Sequence, residues 1–370
     1  MKVASHIRTL LGLILLPPLA LTGCGGGPQA RSAPSAPAPV VAPPPAPPPP
    51  PAPTSWTVTD LAPLAGFNAS QANAVNSAGV VVGYSETPLG VTEATMWVNG
   101  TVVDLGLGIA TDINDSNHVV GYSVDFTGSI ITAHIWFNGT ENDIGTQWLP
   151  EGINNPGLVV GPPLAFGGLA QQWDKKNGQR DIPGCGTALA VNDSGQIAGV
   201  ATNGNATVCG MPDYGVLGAA VAINSSGQTV GYVNPSPDTA NAALFPDTVL
   251  AQSGLATGIN DLGWIVGETI TSGGTNARTA TVRPGQEAGT DWVSHWWNTR
   301  IVNRGRPDHS RLDAVAALAG QSHPFIWSQQ SGLVALPDPL ITAEGINGSM
   351  VVGAGLATDG TIHGFLLEGK

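Results

Sequence analysis

Residues that could carry catalysis are dispersed along this chain rather than grouped in a motif. The sequence contains no Gly-x-Ser-x-Gly elbow, no His-Glu-x-x-His pair, no phosphate-binding glycine loop and no Cys/His spacing typical of a metal site. Isolated histidines fall in different parts of the chain: His118, His134, His295, His309, His323 and His363. A single histidine at a strand position usually packs in the core or lies on the surface. We therefore predict that the protein is not an enzyme and has no catalytic residue, no metal ion and no cofactor.

The composition of the chain excludes several classes of protein. Charged residues make up 11% of its 370 positions, against about 25% in an average soluble domain. With 50 glycines and 31 prolines as well, the chain cannot form a helical bundle or a coiled coil. Its formal net charge of -13 would repel phosphates, so we predict no binding to nucleic acid.

The N-terminus has the features of an export signal. A short apolar stretch, Leu10 to Leu21, follows a positively charged start and is interrupted by two prolines, so it is too short and too broken for a permanent membrane span. It ends in Leu21-Thr22-Gly23-Cys24, which resembles the lipobox of bacterial lipoproteins. The resemblance implies that residues 1–23 are a signal peptide and that Cys24 becomes the acylated first residue. An ordinary secretory signal with an incidental cysteine is the alternative.

The resemblance also implies a location. A lipidated protein would be held in the bacterial cell envelope, and Gly25 stands where an Asp would signal retention at the inner membrane. We therefore predict the outer membrane, on its periplasmic or its outer side.

Residues 24–54 are predicted to be a stalk between the lipidated cysteine and a folded body. From residue 28 onward they contain 13 prolines in 27 positions, with Arg31 as the one charge. Such a segment cannot bury a core and favours the extended polyproline II conformation. A ligand for an SH3-type domain is the alternative, but a bacterial envelope offers it no obvious partner.

Two cysteines remain in the body, Cys185 and Cys209. Outside the cytoplasm an even number of cysteines favours a disulfide, so we predict this pair to be bridged. Two buried free thiols are the alternative, and no redox role is expected because the chain has no Cys-x-x-Cys pair.

One motif organises residues 55–370. A Val or Ile followed by Asn, then Gly or Asn three residues later in most copies, precedes a Val/Ile-rich strand. The asparagines of the seven copies are Asn76, Asn114, Asn154, Asn192, Asn224, Asn260 and Asn347, spaced 38, 40, 38, 32, 36 and 87 residues apart. We interpret each copy as a β-hairpin in which Asn caps the turn and Gly supplies the left-handed conformation. Calcium binding by these turns is the less favoured alternative, because the carboxylate spacing of known calcium loops is missing.

Two further motifs complete each repeat. A small residue followed three positions later by a large apolar one recurs, as in Ala94 to Trp97, and an Asp-Leu-like element such as Asp104-Leu105 follows it. Each unit of about 40 residues thus holds about four short strands, which is typical of propeller blades. The predicted fold is all-β, a β-propeller-like ring of seven to eight four-stranded repeats. A β-sandwich or a solenoid is the alternative.

The repeats resemble the bacterial extracellular repeats named for a His-Ala-Phe motif, the HAF repeat family. The hairpin motif fits this pattern, and His323-Pro324-Phe325 and His363-Gly364-Phe365 retain the histidine, while Glu93, Thr132 and Leu169 replace it elsewhere. The resemblance implies an extracellular repeat fold and no particular activity. Because the histidine is dispensable within one chain, we interpret it as structural.

The chain ends indicate how the ring closes. The last unit stops at His363-Gly364-Phe365-Leu366-Leu367 without its third element, and the body opens with Thr57-Val58-Thr59-Asp60-Leu61, which matches that element. We predict that the N-terminal segment supplies the strand that the C-terminus lacks.

The interval before the last copy is unusual. Residues 283–311 contain five of the nine arginines, with Trp292, Trp296 and Trp297. These tryptophans are our candidate binding residues, because aromatic faces stack on sugar rings and cations. A decayed blade is the equal alternative to such a functional insertion.

These observations together predict a monomeric envelope lipoprotein, attached to the membrane through Cys24. Its repeat domain would be a non-catalytic module that binds or scaffolds a glycan or an envelope or extracellular protein. The alternative is a propeller-fold hydrolase or lyase acting on extracellular polysaccharide at the ring axis. Carboxylates or histidines clustered at the axis would favour that enzyme.

Overall fold

The structure, a computed structural model, describes residues 49–125, 128–165, 167–236, 239–270 and 322–370. In these ranges the chain is all-β, with 27 strands arranged in seven antiparallel sheets. No helix in the same ranges has the length and apolar character needed to cross a bilayer. The predicted signal peptide, Cys24, most of the stalk and the three candidate tryptophans lie outside the described residues.

Each sheet is one blade. In blades 1 to 6 the strands follow one another in sequence, whereas the outer strand of blade 7 comes from the N-terminal side of the domain. The strands of blades 1 to 3 are β2 (Ala69–Val75), β3 (Val81–Glu86), β4 (Thr92–Val98), β5 (Thr101–Leu107), β6 (Ile109–Ile113), β7 (Val119–Val124), β8 (Ile131–Phe137), β9 (Thr140–Thr146), β10 (Gly152–Ile153), β11 (Val159–Gly161), β12 (Gln171–Asp174) and β13 (Gly178–Asp181). Blades 4 and 5 contain β14 (Cys185–Val191), β15 (Ile197–Ala201), β16 (Ala206–Val208), β17 (Gly218–Ile223), β18 (Thr229–Ser236), β19 (Thr239–Leu244) and β20 (Thr248–Ala251). Blades 6 and 7 contain β21 (Gly254–Ile259), β22 (Ile265–Ile270), β23 (Ser322–Ser328), β24 (Gly332–Ala335), β25 (Gly345–Asn347), β26 (Met350–Leu356), β27 (Ile362–Gly369) and β1 (Trp56–Leu61).

The seven sheets form a β-propeller, which confirms the predicted fold class and gives seven blades rather than eight. The first strand of each blade contacts the first strand of a neighbouring blade, so these strands surround the axis. Six of the described sheets have four strands and blade 4 has three. In blade 4 an isolated bridge between Asn205 and Leu217 stands beside the third strand, where a fourth strand would pair.

The ring closes as the sequence predicted. Strand β1, from the N-terminal side, pairs antiparallel with β27, from Trp56 opposite Gly369 to Leu61 opposite Gly364. β1 is therefore the outer strand of blade 7, and the edge of β27 is covered by chain from the other end of the domain.

The 87-residue interval between the last two motif asparagines falls inside one blade. Strand β22 pairs directly with β23, with Ile265 opposite Trp327 and Ile270 opposite Ser322. Blade 6 is thus completed by residues on both sides of the interval 271–321, which joins its second and third strands. Seven motifs account for seven blades, so this interval does not have to supply an eighth.

The hydrophobic core lies between blades, where the recurring tryptophans of the third strands pack. Trp97 packs with Leu61 and Val352 of blade 7, and Trp136 packs with Val82 of blade 1. Trp97 and Trp136 are buried, whereas Trp173 and Trp327 are half-buried against the clusters at their own interfaces. Burying apolar side chains between blades stabilises the ring by roughly 25 cal/mol for each Å² removed from water.

The two faces of the ring carry different connections, because consecutive antiparallel strands alternate in direction. On one face, the Asn-turn face, lie the turns between first and second strands and those between third and fourth strands. On the other, the loop face, lie the links between second and third strands and those between blades. The chain reaches the ring on the Asn-turn face, where Trp264 Nε1 donates to the Pro50 carbonyl at 2.9 Å and Ala52 is buried.

Candidate functional site

The first six of the seven repeated asparagines cap their turns as predicted, whereas Asn347 pairs with Met350 in a shorter turn. In the first six copies the Asn backbone N–H donates to the carbonyl of the residue four positions later, and the Asn Oδ1 accepts the N–H of that same residue. For Asn76, the distance from Oδ1 to the Val80 nitrogen is 3.0 Å. Gly79 has a φ of 77° and Asn117, which replaces glycine in the second copy, has a φ of 58°. The left-handed position predicted for these turns is therefore present in the first six copies, and in the seventh it falls on Gly348, directly after the Asn.

The asparagines also have a second role that the sequence reasoning missed. The Nδ2 of each one donates to a backbone carbonyl of the next blade around the ring, and the last bond runs from blade 7 to blade 1. The pairs are Asn76–Asn114 (3.2 Å), Asn114–Asn154 (3.0 Å), Asn154–Asn192 (3.0 Å), Asn192–Asn224 (3.0 Å), Asn224–Asn260 (3.2 Å), Asn260–Gly348 (2.7 Å) and Asn347–Val75 (3.4 Å). This closed circle of bonds, the Asn ring, links every blade to its neighbours.

A second set of inter-blade bonds lies deeper in the ring. A β-bulge displaces the residue three positions before the motif Asn in several first strands. Where that residue carries a donor, it reaches the next blade: Asn73 bonds to Ala110 O, Thr111 to Pro150 O and Thr257 to Ala343 O. The bulge therefore turns a polar side chain towards the neighbouring blade.

On the surface of the Asn-turn face, the residue after the motif Asn extends the same pattern. Asp115 Oδ1 accepts the Ser77 N–H at 2.9 Å, and Asn155 Nδ2 lies between Asp115 Oδ2 (3.1 Å) and Asp193 Oδ2 (2.9 Å). The Ser77 N–H and then the Asn155 amide lower the pKa of Asp115. These carboxylates accept hydrogen bonds from a neighbouring blade. They are the groups that would have to bind calcium under the alternative, so their observed role is structural.

The predicted disulfide is present. Cys185 begins β14 and Cys209 directly follows β16, and the two are bonded with their Cα atoms 5.4 Å apart. Cys185 is fully buried among Val160, Ala170 and Ile197, so the bridge links two parts of blade 4 at a point that packs against blade 3.

A few carboxylates lie on or directly before first strands near the axis. Asp112 is half-buried, and its two oxygens accept the N–H of Ile113 and that of Ile153 in the next blade, both at 2.8 Å. Burial among the blades raises the pKa of Asp112 to about 7, and the charge of Glu151 adds to this, against the lowering effect of the two N–H donors. Glu344 of blade 7 is buried and accepts from Gln71 Nε2 at 3.3 Å.

The histidine of the naming motif has a structural contact, in agreement with its interpretation from the sequence. His363 Nδ1 lies 2.8 Å from Asp60 Oδ1 on the closing strand β1. In blade 1 the matching pair is Glu93 and Asp104, and burial followed by the neighbouring Asp104 raises the pKa of Glu93. The motif position therefore contacts the Asp of the fourth strand.

His134 is different, because it lies two residues along from the naming-motif position and meets two acidic side chains. Its Nδ1 is 3.0 Å from Glu141 Oε1 and 3.0 Å from Asp143 Oδ1. Neither the sequence spacing nor the motif indicated this group. Strand register could have found it, because both acids lie on the strand that pairs with His134.

Exposed apolar side chains are concentrated on the loop face. Eight of the fourteen large hydrophobic residues that are exposed in the described ranges lie there, namely Leu89, Val91, Leu107, Val124, Ile130, Val216, Leu217 and Leu356. Leu89 is 84% exposed and Leu107 is 63% exposed. Six of the eight belong to the adjacent blades 7, 1 and 2.

Comparison with known protein families finds no match for this chain, and a search of curated proteins likewise finds none.

Proposed function

We propose that this protein is an envelope lipoprotein, anchored through Cys24, whose propeller is a non-catalytic binding module that uses its loop face. The observation that carries this proposal is the difference between the two faces. The polar groups of the Asn-turn face are engaged between blades, whereas the loop face presents unpaired aliphatic side chains to solvent. Apolar surface of this kind is typical of interaction sites.

The chemistry of the exposed side chains favours a protein partner over a glycan. Leucine, valine and isoleucine are buried readily in protein–protein contacts, whereas sugar rings stack on aromatic faces. A glycan site would depend on Trp292, Trp296 and Trp297, outside the described residues.

The path of the chain supports anchoring from the opposite face. Residues 50–52 pack on blade 6 at the Asn-turn face before the chain enters β1. A lipid on Cys24 would then be connected to the ring on the side away from the proposed binding surface. Cys24→Ser tests the anchor: it should abolish incorporation of labelled palmitate and release the protein from membranes, and retention of label would refute the lipobox assignment.

The binding surface is tested with matched variants on the two faces. Leu89→Ser/Leu107→Ser/Ile130→Ser changes the loop face of blades 1 and 2, and Leu333→Ser changes an exposed leucine on the Asn-turn face. A partner crosslinked to the wild type and to Leu333→Ser in intact envelopes, but not to the triple variant, supports the proposal. Equal crosslinking of all three proteins would place the binding surface elsewhere.

A thermal-melting panel of oligosaccharides separates the two partner classes. If one class of sugar raises the melting temperature equally in the wild type and in the triple variant, the partner is a glycan and not a protein. The three tryptophans would then be the residues to mutate.

The polysaccharide hydrolase or lyase is the second candidate, and Asp112 is the observation that favours it. A carboxyl group near the axis with a pKa of about 7 has the properties of a general acid. Its two oxygens, however, both accept backbone N–H groups, which favours a structural role. Release of reducing ends from a polysaccharide by wild type, lost in Asp112→Asn, would establish the enzyme.

A further inference from the structure

Strand pairing brings three metal-ligating side chains to one face of blade 2. Strands β8 and β9 are antiparallel, with His134 opposite Asp143 and Trp136 opposite Glu141. Because alternate residues of a strand share a face, His134, Asp143 and Glu141 project to the same side. That side faces blade 1, where Glu141 Oε2 lies beside Gly106.

The three ligating atoms converge without satisfying one another. His134 Nδ1, Glu141 Oε1 and Asp143 Oδ1 all lie within 4.8 Å of one another. His134 is 4% exposed, and its Nδ1 has no hydrogen-bond partner although both carboxylate oxygens are 3.0 Å away. The directions of approach are thus unsuitable for a hydrogen bond. Two ligand atoms that each lie about 2.1 Å from one metal ion, and that subtend a right angle at it, are about 3.0 Å apart.

The other imidazole nitrogen supports ligation by Nδ1. His134 Nε2 is 2.7 Å from Ser123 Oγ. A proton on Nε2 that is donated to this hydroxyl leaves the lone pair on Nδ1, and metal-binding histidines are commonly oriented by such a second hydrogen bond.

In blade 3 the same three positions are occupied by two glutamines and an aspartate, which do not form a set of metal ligands. Gln171 stands opposite Asp181 and Trp173 opposite Gln179, so Gln171, Gln179 and Asp181 correspond to His134, Glu141 and Asp143. There the amides complete the network, since Gln179 Nε2 donates to Gln171 Oε1 (3.1 Å) and Gln171 Nε2 donates to Asp181 Oδ1 (2.7 Å).

Blade 1 gives a second internal comparison. Its residues at these three positions are Thr95, Val102 and Asp104. The Asp is therefore shared by all three blades, while the imidazole and the second carboxylate are particular to blade 2.

We propose that His134, Glu141 and Asp143 bind a divalent transition-metal ion. One imidazole nitrogen and two carboxylate oxygens suit Zn²⁺ and its neighbours in the first row. The Glu141 and Asp143 side chains are 40% and 73% exposed, so water or a ligand can complete the coordination shell from the solvent side. The rival is a protonated His134 paired with both carboxylates and no ion.

The test uses the full mature chain without a polyhistidine tag, with Zn²⁺ as the probe. Equilibrium dialysis and titration should give a single tight equivalent, and Zn²⁺ should raise the melting temperature reversibly with EDTA. Co²⁺ in place of Zn²⁺ should give visible absorption bands that report nitrogen ligation.

The matched control is His134→Gln/Glu141→Gln, which copies the hydrogen-bonded arrangement of blade 3. It should melt like the wild type in EDTA and lose more Zn²⁺ affinity than the roughly 10–100-fold that removal of an outer-shell partner costs, because two direct ligands are replaced. Glu141→Val, which copies blade 1, changes a partly exposed position and serves if the double variant does not fold; it should also weaken Zn²⁺ binding. Absence of a tight equivalent in the wild type, or equal binding by wild type and variants, would overturn the proposal in favour of the ion-paired triad.

Discussion

Asn154 allows the two roles of the motif asparagine to be separated in one experiment. Its Oδ1 accepts the Leu158 N–H within its own turn at 2.8 Å, and its Nδ2 donates to the Asn192 carbonyl of the next blade at 3.0 Å. Asn154→Asp keeps the acceptor and removes the donor, whereas Asn154→Ala removes both. The side chain is 4% exposed, so neither lost partner is readily replaced by water.

The expected losses follow from these contacts. Asn154→Asp loses one hydrogen bond of about 1 kcal/mol and leaves a buried carbonyl unpaired, at a further cost of about 1–3 kcal/mol. It also places a carboxylate beside that carbonyl, so we expect a destabilisation of roughly 2–4 kcal/mol at pH 8. Asn154→Ala avoids the charge but loses the cap as well, at about 1 kcal/mol more than the donor alone. Urea unfolding monitored by tryptophan fluorescence measures both.

The pH dependence distinguishes a lost donor from a general disturbance of the turn. Burial beside a carbonyl raises the folded-state pKa of the introduced Asp above its unfolded value of about 3.9. The protonated form can donate to Asn192, so the deficit relative to wild type should shrink towards pH 4 and grow as pH rises through the folded pKa. The exposed Asn68→Asp is the control for the charge change. A deficit of Asn154→Asp that equals that of Asn68→Asp at pH 8 would refute the inter-blade role.

Three further outcomes are expected. Cys185→Ala/Cys209→Ala should lower the free energy of unfolding by about 3 kcal/mol, from the 24-residue separation of the bridged cysteines, and no change in chemical unfolding would show that the bridge is not formed. Because the folded-state pKa of Asp112 is raised to about 7, its contribution to stability is full below pH 4 and is lost as pH rises through 7. The wild type should therefore lose a few degrees of melting temperature between pH 4 and pH 7 that Asp112→Asn does not lose. The same melting-temperature profile in both proteins would contradict this expectation. Deleting residues 56–61 should expose β27, lower the melting temperature by more than about 10 °C and cause concentration-dependent association in size-exclusion chromatography; a monomer of unchanged stability would contradict the closure.

Much of the fold was predictable because each signal is local and repeated. A β-branched residue, Asn and a left-handed Gly three positions later determine a turn such as Asn76 to Gly79 whatever surrounds it, and seven copies fix the blade count once the ring is known. The closure was predictable for the same reason, since Thr57 to Leu61 repeats an internal element. The seven-fold ring itself follows from how blades pack, which no single repeat contains.

The contacts between blades were not predictable from one repeat. The bond from Asn154 to Asn192 joins residues 38 positions apart, and its geometry depends on the twist between sheets. The exposed side chains of the loop face were unpredictable for a similar reason, because the exposure of Leu89 and Leu107 depends on how neighbouring strands and loops pack. Cys24 and the glycan role of Trp292, Trp296 and Trp297 stay predictions.

The repeat itself explains where variation collects in this molecule. The motif asparagine serves two blades at once, so its replacement costs a cap and a link, and all seven copies retain it. The third-strand position of His134 contacts its own fourth strand, and the chain fills the equivalent sites with Thr95 and Gln171. A position that makes no bond of the Asn ring can accept new side chains without loss of the fold. Chemistry particular to one blade is therefore expected on the outer strands and loops, which is where His134, Glu141 and Asp143 lie.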